Sequence, residues 1–155
     1  MKKTISVLLL ASLALTNCNS GSSTPVEMPK TAEELKMELA TQEKSLPLNY
    51  LTVDATMQED EIKTRDAGLF HDAEYSPDGN TIHATIKNSA TVANFKDVIV
   101  TVTFYSQTET AIESKDYTVY EFFKPNTAKK VDLKVYPPEA MAKFGIEIKN
   151  ATAVD

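Results

Sequence analysis

The sequence KNSATVANFKDVIVTVTFYS, residues 87–106, decides the fold because it holds the clearest strand pattern in the chain. Valine and phenylalanine side chains occupy every second position from 98 to 104, and Thr101, Thr103 and Tyr105 lie between or beside them. This period of two is typical of a half-buried β-strand. The polar run at residues 88–94 precedes the strand, and it predicts a turn through which residues 81–87 pair with it.

Alternating apolar residues elsewhere predict further strands of the same kind. The acidic group at residues 59–61 interrupts the first of them, and Ser-Pro-Asp-Gly-Asn at residues 76–80 is a strong turn signal that predicts a hairpin. Strands and turns at this spacing are typical of a β-sandwich. The predicted fold is therefore all-β, an antiparallel β-sandwich of about seven strands over residues 48–155. The expected strands cover residues 50–57, 69–75, 81–87, 98–105, 111–123, 131–135 and 144–148.

One short amphipathic helix is predicted before the sandwich, within residues 31–46. Thr31 is followed three residues later by Glu34, which is a capping-box pattern, and Leu35 and Leu39 repeat at helical spacing. The apolar stripe is narrow, so two interpretations stay open. The helix lies against one end or edge of the sandwich, or it docks on another envelope protein.

The charge of the chain argues against one class of partner. The 155 residues carry a formal net charge of −6. Binding nucleic acid requires a continuous basic surface, whereas the lysines of this chain are dispersed among acidic residues. We therefore expect no nucleic-acid partner.

Residues 1–17 resemble the signal peptide of a bacterial lipoprotein. Lys2 and Lys3 form a short positive region, and residues 5–15 form an apolar run that is too short to span a bilayer. The residues leading to Cys18 resemble a lipobox, with Asn17 standing where Gly, Ala or Ser is usual. The resemblance implies that Cys18 becomes the lipidated first residue of the mature protein and attaches it to a membrane.

Cys18 is the only cysteine in the chain, so no intramolecular disulfide can form. Lipidation removes a thiol that would otherwise be free in an oxidising compartment. The alternative is a plain secreted protein whose cysteine is incidental. Residues 18–30 are rich in Ser, Gly, Thr and Pro, which predicts a flexible tether. Because Asn19 is not the Asp associated with inner-membrane retention, the expected location is the bacterial cell envelope, at the outer membrane.

Three runs of sequence together resemble the FxLYD-type domain of bacterial envelope proteins: residues 86–90, 96–106 and 123–127. In that family a strand ending in Asn-Thr or Asn-Ser leads to a strand that closes on Phe-x-Leu-Tyr-Asp, and a later Leu-x-Pro-Gly-Glu turn opens the next strand. Val102, Phe104, Tyr105 and Ser106 occupy the closing signature here, where Tyr105 matches outright, and Asn126 replaces the turn glycine. The resemblance covers residues 82–148 and implies an immunoglobulin-like sandwich with no catalytic residues to carry over.

No catalytic residue, metal site or cofactor is predicted from the remaining polar residues. His71 and His83 lack further ligands at a spacing that would complete a metal site. The acidic residues 59–61 do not have the alternating oxygen ligands of a calcium loop, so a solvated loop is expected there. No Ser-His-Asp arrangement can be recognised from spacing.

Tyrosine side chains provide a candidate interaction surface, formed by Tyr105, Tyr120 and Tyr136. The strand pattern places Tyr105 and Tyr136 on the solvent side, and either Tyr117 or Tyr120 as well. Exposed tyrosines can mark a surface that binds a protein or a glycan. The alternative is that they cover a neighbouring strand or the predicted helix.

Three functional hypotheses follow from these patterns. The leading one is a non-enzymatic, lipid-anchored envelope protein with a structural or protein-interaction role and an unidentified envelope protein as its partner. The second is a module that binds a glycan or a small ligand through the tyrosines. The third is an enzyme of unrecognised type.

Overall fold

The structure, a computed structural model, describes residues 29–154. The predicted signal peptide, Cys18 and most of the tether lie outside the described residues. Residues 29–154 form one α-helix, a short 3-10 helix and six strands. Their bounds are α1 Ala32–Ser45, the 3-10 helix Pro47–Asn49, β1 Leu51–Arg65, β2 Glu74–Asn88, β3 Asn94–Tyr105, β4 Ala111–Val119, β5 Thr127–Val135 and β6 Lys143–Val154.

The strands form two antiparallel sheets, one with the order β1-β2-β5 and one with the order β4-β3-β6. The predicted all-β sandwich, preceded by one helix, is thus confirmed, although it has six strands rather than about seven. The strand of the opening stretch, β3, is the central strand of its sheet. Its two-residue alternation reflects burial of one face against the other sheet, since every second side chain is buried and those between are half-buried.

The core lies between the two sheets and contains the side chains that the alternation predicted. On β3, every second side chain from Val98 to Phe104 has no exposed surface. They pack with Ile82, Ala84, Ile86 and Val135 of the other sheet, and with the partly buried Val131, Leu133 and Ile146. Burying a side chain of this size contributes about 1.5–3 kcal/mol.

The predicted pairing of residues 81–87 with β3 is wrong. β2 pairs with β1 and β5, and the connection at residues 89–93 carries the chain across to the other sheet. The side chain of Asn88, which is fully buried, forms hydrogen bonds with backbone groups of this connection. Its Nδ2 donates to the carbonyl oxygens of Ala93 and Phe123, both at 3.0 Å, and its Oδ1 accepts from the N–H of Ala90 at 2.9 Å.

A carboxylate from the helix completes this connection. Glu43 is 1% exposed, and its two oxygens accept hydrogen bonds from the N–H groups of Thr91, Val92 and Ala93, all at 2.8 Å, and from the Thr91 hydroxyl. Burial by itself would raise the pKa of Glu43, but these hydrogen bonds outweigh it and lower the pKa from 4.5 to about 2. The carboxylate is therefore charged at neutral pH.

The helix begins and ends where the sequence predicts. Thr31 Oγ1 accepts from the N–H of Glu34 at 3.2 Å, and the Glu34 carboxylate accepts from the N–H of Thr31 at 2.7 Å, which confirms the capping box. However, Leu35 remains 54% exposed and Leu39 37% exposed. The sequence interpretation rested on this apolar stripe, whereas Glu43 is the buried residue of the helix.

Two expected elements in the first half of the chain are also wrong. Residues 69–75 do not form a separate edge strand, and residues 76–80 do not form a turn, because most of this region belongs to the continuous strand β2. β1 continues through the acidic residues 59–61 to Arg65. The two strands therefore form one long hairpin, which accounts for the lower strand count.

Two smaller differences concern the ends of strands. β4 ends at Val119 rather than at residue 123, and Phe123 instead forms an isolated bridge with Phe95 and is fully buried. β6 extends beyond the expected residue 148 to Val154. The turn at residues 124–127 is confirmed, with Asn126 at φ 54°, a left-handed conformation that asparagine tolerates.

Candidate functional site

The long hairpin extends beyond the sandwich as a two-stranded arm. β5 pairs with β2 only over residues 80–88, so the preceding part of β2 pairs with β1 alone. We call residues 60–79 the hairpin arm. A two-stranded hairpin without a further strand or helix against it is only marginally stable in water. The arm therefore projects without the support that the rest of the sheet receives.

The tip of the arm carries two large apolar side chains that are exposed to solvent. The N–H of Gly68 donates to the carbonyl oxygen of His71 at 2.9 Å, which closes a tight turn with Leu69 and Phe70 at its centre. The side chains of Leu69 and Phe70 are 96% and 97% exposed. Adjacent large apolar side chains that are this exposed do not contribute to the core, so the fold itself does not explain them.

Polar contacts hold the two strands of the arm together. Arg65 Nη1 lies 2.7 Å from Glu74 Oε1, and the hydroxyl of Thr64 donates to the carbonyl oxygen of Glu74 at 3.2 Å. The arm carries two further exposed apolar side chains, Ile62 and Tyr75. Ile62 lies opposite Ser76 and Tyr75 opposite Lys63, so these two point to opposite faces of the arm.

A charged cluster joins the base of the arm to the sheet. Asp60 Oδ2 accepts from the hydroxyl of Thr81 at 2.6 Å and from Lys134 Nζ at 2.8 Å, and Lys134 Nζ also lies 3.2 Å from Asp78 Oδ2. The hydrogen bond from Lys134 lowers the pKa of Asp60, and the same bond raises the pKa of Lys134. Both groups are thus charged over a wide pH range.

A β-bulge at the base sets the direction of the arm. Asp78 and Gly79 together lie opposite Asp60, and Gly79 has φ +73°. A Cβ atom at this position would lie 2.7 Å from the carbonyl oxygen of Val135 and 2.7 Å from the ring of Tyr136. Only glycine fits this backbone conformation without strain, so the Asp-Gly pair that predicts a turn in the sequence instead forms a bulge.

The three predicted tyrosines do not lie together. Tyr136, 63% exposed, stands at the base of the arm, and its ring packs on Gly79. Tyr105 is half-buried on the other sheet, with Lys143 Nζ 5.6 Å from its ring centre. Tyr120 is 81% exposed just beyond β4, whereas Tyr117 packs against the core. Since β4 ends opposite the start of β3, Tyr120 and Tyr105 lie at opposite ends of that sheet. Ligand binding by any of them stays a prediction.

The two histidines are also separate. His71 lies in the turn at the tip of the arm, whereas His83 lies on the outer face of the β1-β2-β5 sheet, with its Nδ1 atom 2.7 Å from Asp132 Oδ1. The pair borders a shallow cavity of about 400 Å³ that is also lined by Thr85 and Lys130. Within residues 29–154, no three His, Cys, Asp or Glu side chains are placed to hold one metal ion.

Comparison with known proteins yields no relative. No protein-family model matches the chain, and no curated protein or solved structure is significantly similar to it. Over the described residues, no helix is both long and apolar enough to cross a membrane. The fold and the site define an all-β sandwich that carries a projecting hairpin arm with an apolar tip.

Proposed function

We propose that this chain is a non-enzymatic, lipid-anchored protein of the bacterial envelope that binds another envelope protein chain through the hairpin arm. One observation carries the proposal, namely the nearly complete exposure of Leu69 and Phe70 at the tip of a two-stranded arm. Burying both side chains in a partner would contribute about 3–6 kcal/mol before the entropic cost of association. A surface feature of this kind is typical of an interaction site.

The membrane attachment in the proposal depends on Cys18, the signal-peptide pattern before it and the tether at residues 18–30. We expect a labelled fatty acid to be incorporated into the wild-type protein and not into Cys18→Ala. Fractionation of the labelled envelope then tests the proposed outer-membrane location. Equal labelling of the two proteins would exclude Cys18 as the attachment point.

The resemblance to the FxLYD-type domain implies the fold of the base and not its function. The matched runs include the central strand β3 and the turn at Asn126. In this proposal the sandwich is immunoglobulin-like and serves as a rigid base for the arm. A scaffold of this kind positions a binding element without supplying catalytic groups.

Site-specific photo-crosslinking in cells tests the binding role of the arm. A photoreactive phenylalanine analogue at position 70 of the full-length, lipidated chain is expected to give a discrete protein adduct. The same analogue at Glu147, an exposed residue on β6, is the matched control and is expected to give none. Leu69→Ser should lower the yield at position 70 while changing stability by no more than about 0.5 kcal/mol, because Leu69 is 96% exposed.

Two results of this experiment would refute the proposal. An adduct only with phospholipid would make the tip a membrane-contacting element. Equal protein adducts from positions 70 and 147 would mean that the arm has no special role in binding.

A further inference from the structure

The hairpin arm is strongly acidic around its apolar tip. Residues 60–79 contain six acidic side chains against two basic ones, Lys63 and Arg65, which gives a net charge of −4. Asp66 and Asp72 flank the tip, and both are exposed. A partner that receives the tip therefore needs apolar groups at the centre and positive charges around them. An anionic lipid surface would instead repel the arm, since the tip segment at residues 66–73 has no Lys or Arg.

The chain itself carries a surface with this chemistry in the segment that connects β4 to β5. We call Tyr120, Phe122 and Lys124 the aromatic patch. Tyr120 is 81% exposed and Phe122 58% exposed, and Lys124, two residues after Phe122, is exposed as well. Residues 119–130 contain Lys124, Lys129 and Lys130 against one acidic residue, Glu121, for a net charge of +2. The aromatic patch is thus both apolar and locally basic within an acidic protein.

The arm and the aromatic patch lie at opposite ends of the sandwich. β5 begins at Thr127, next to the patch and opposite Asn88, and ends at Val135, opposite Asn80 at the base of the arm. Nine residues of β-strand span about 30 Å. Because the arm extends from the end of the sandwich opposite the patch, it cannot reach the patch of its own molecule. A contact between the two surfaces therefore requires two molecules.

We infer that the arm of one molecule docks on the aromatic patch of a second copy of this chain, so that copies associate head to tail. This inference rests on the proposed function, because it names the protein that the arm binds. Leu69 and Phe70 would lie against Tyr120 and Phe122, and Lys124 would face the acidic flanks of the arm. The contact joins two different surfaces, so a pair of copies keeps one free arm at one end and one free patch at the other, and the association propagates into a row.

Attachment to one membrane favours a contact that is weak in solution. A contact made by a hairpin tip is small, and small interfaces are typically transient. Copies held on the same membrane meet at a high effective concentration, which raises the occupancy of a weak contact. With the tether that the composition of residues 18–30 predicts, the long axis of each domain can lie along the membrane while every copy in a row keeps its own anchor.

Two differently tagged full-length chains, expressed together, test the inference. The first carries the photoreactive phenylalanine at position 70 and a disrupted patch, Tyr120→Ser with Phe122→Ser. The second carries an intact patch and a disrupted arm, Leu69→Ser with Phe70→Ser. All four substituted side chains are more than half exposed, so both chains should fold, and their urea midpoints provide the check.

The first chain alone should give roughly tenfold less dimer adduct than a chain with an intact patch, since removing central aromatic side chains of an interface typically has effects of this size. Addition of the second chain should restore an adduct that contains both tags. Lys124→Glu in the second chain should lower the restored yield several-fold. A matched substitution, Lys115→Glu on β4 and outside the patch, should leave it unchanged.

The possible failures separate the two proposals. A dimer adduct that does not depend on the aromatic patch, or an adduct with a different protein, would overturn head-to-tail association while the arm remained a protein-binding element. An adduct with phospholipid only, or no adduct from position 70, would overturn both.

Discussion

Replacing Asn88 by Asp will lower the free energy of unfolding by about 3–5 kcal/mol at neutral pH, as expected for a buried charge without a compensating partner. The substitution keeps the shape of the side chain but replaces the Nδ2 donor with a carboxylate oxygen. The carbonyl oxygens of Ala93 and Phe123, which accept from Nδ2 at 3.0 Å, would then face a negative charge. Since a domain is typically stable by only about 5–15 kcal/mol, urea unfolding followed by circular dichroism will detect the change.

The pH dependence of this effect has a definite sign. Burial raises the pKa of the introduced carboxyl in the folded state, so that the folded protein binds more protons than the unfolded chain above the ordinary pKa of Asp. The destabilisation is therefore smaller near pH 4 than near pH 7. Asn150→Asp is the matched control, because Asn150 is exposed and its Oδ1 accepts from the N–H of Ala151, which a carboxylate also does. If both variants unfold at the wild-type urea concentration, Asn88 does not hold the connection between the sheets.

The sandwich and its core could be predicted because they depend on a local property. The alternation of residues 98–104 reports which side of a strand is buried, and it requires no knowledge of what lies opposite. The same holds for the capping box of Thr31 and Glu34, where both partners lie within four residues. Such patterns are readable because the groups that satisfy them are close together in the sequence.

The partners of the strands could not be predicted, because they depend on groups that are distant in the sequence. Residues 88–94 resemble a hairpin turn, yet Glu43 satisfies three of their N–H groups from a helix almost 50 residues away. Asp78-Gly79 resembles a turn as well, but Lys134 and Tyr136 hold it as a bulge. In both cases the local sequence is that of a turn, but contacts with residues distant in the sequence determine the backbone conformation.

The candidate site was not recognised from the sequence for a related reason. The sequence interpretation placed Leu69 and Phe70 in a strand, and apolar residues in a sequence are expected to be buried. Only the structure shows that they occupy the centre of a turn at the tip of the arm. A turn sequence with two large apolar residues between Asp66 and Asp72 is unusual, and this combination was the available signal.

Replacing Glu43 by Gln will lower the free energy of unfolding by about 2–3 kcal/mol at pH 7, because hydrogen bonds to a buried charged group are lost. The glutamine amide places N–H donors where the carboxylate of Glu43 now accepts from the N–H groups of residues 91–93. The measurement is again the urea midpoint at pH 7. Glu38→Gln is the matched control on the same helix, since the Glu38 pair with Lys30 is exposed and should be worth less than about 1 kcal/mol.

The effect of Glu43→Gln should disappear in acid. The pKa of Glu43 is lowered from 4.5 to about 2 in the folded state, so the unfolded chain binds more protons between these two values. The stabilisation by Glu43 is then fully present above about pH 4.5 and is lost as the pH falls towards 2. Other carboxylates lose stabilising contacts in the same range, but they do so equally in both proteins. The wild type and Glu43→Gln should therefore differ at pH 7 and converge near pH 2. A difference that stays constant between these pH values would mean that the charge of Glu43 does not stabilise the connection, and that α1 is held by packing alone.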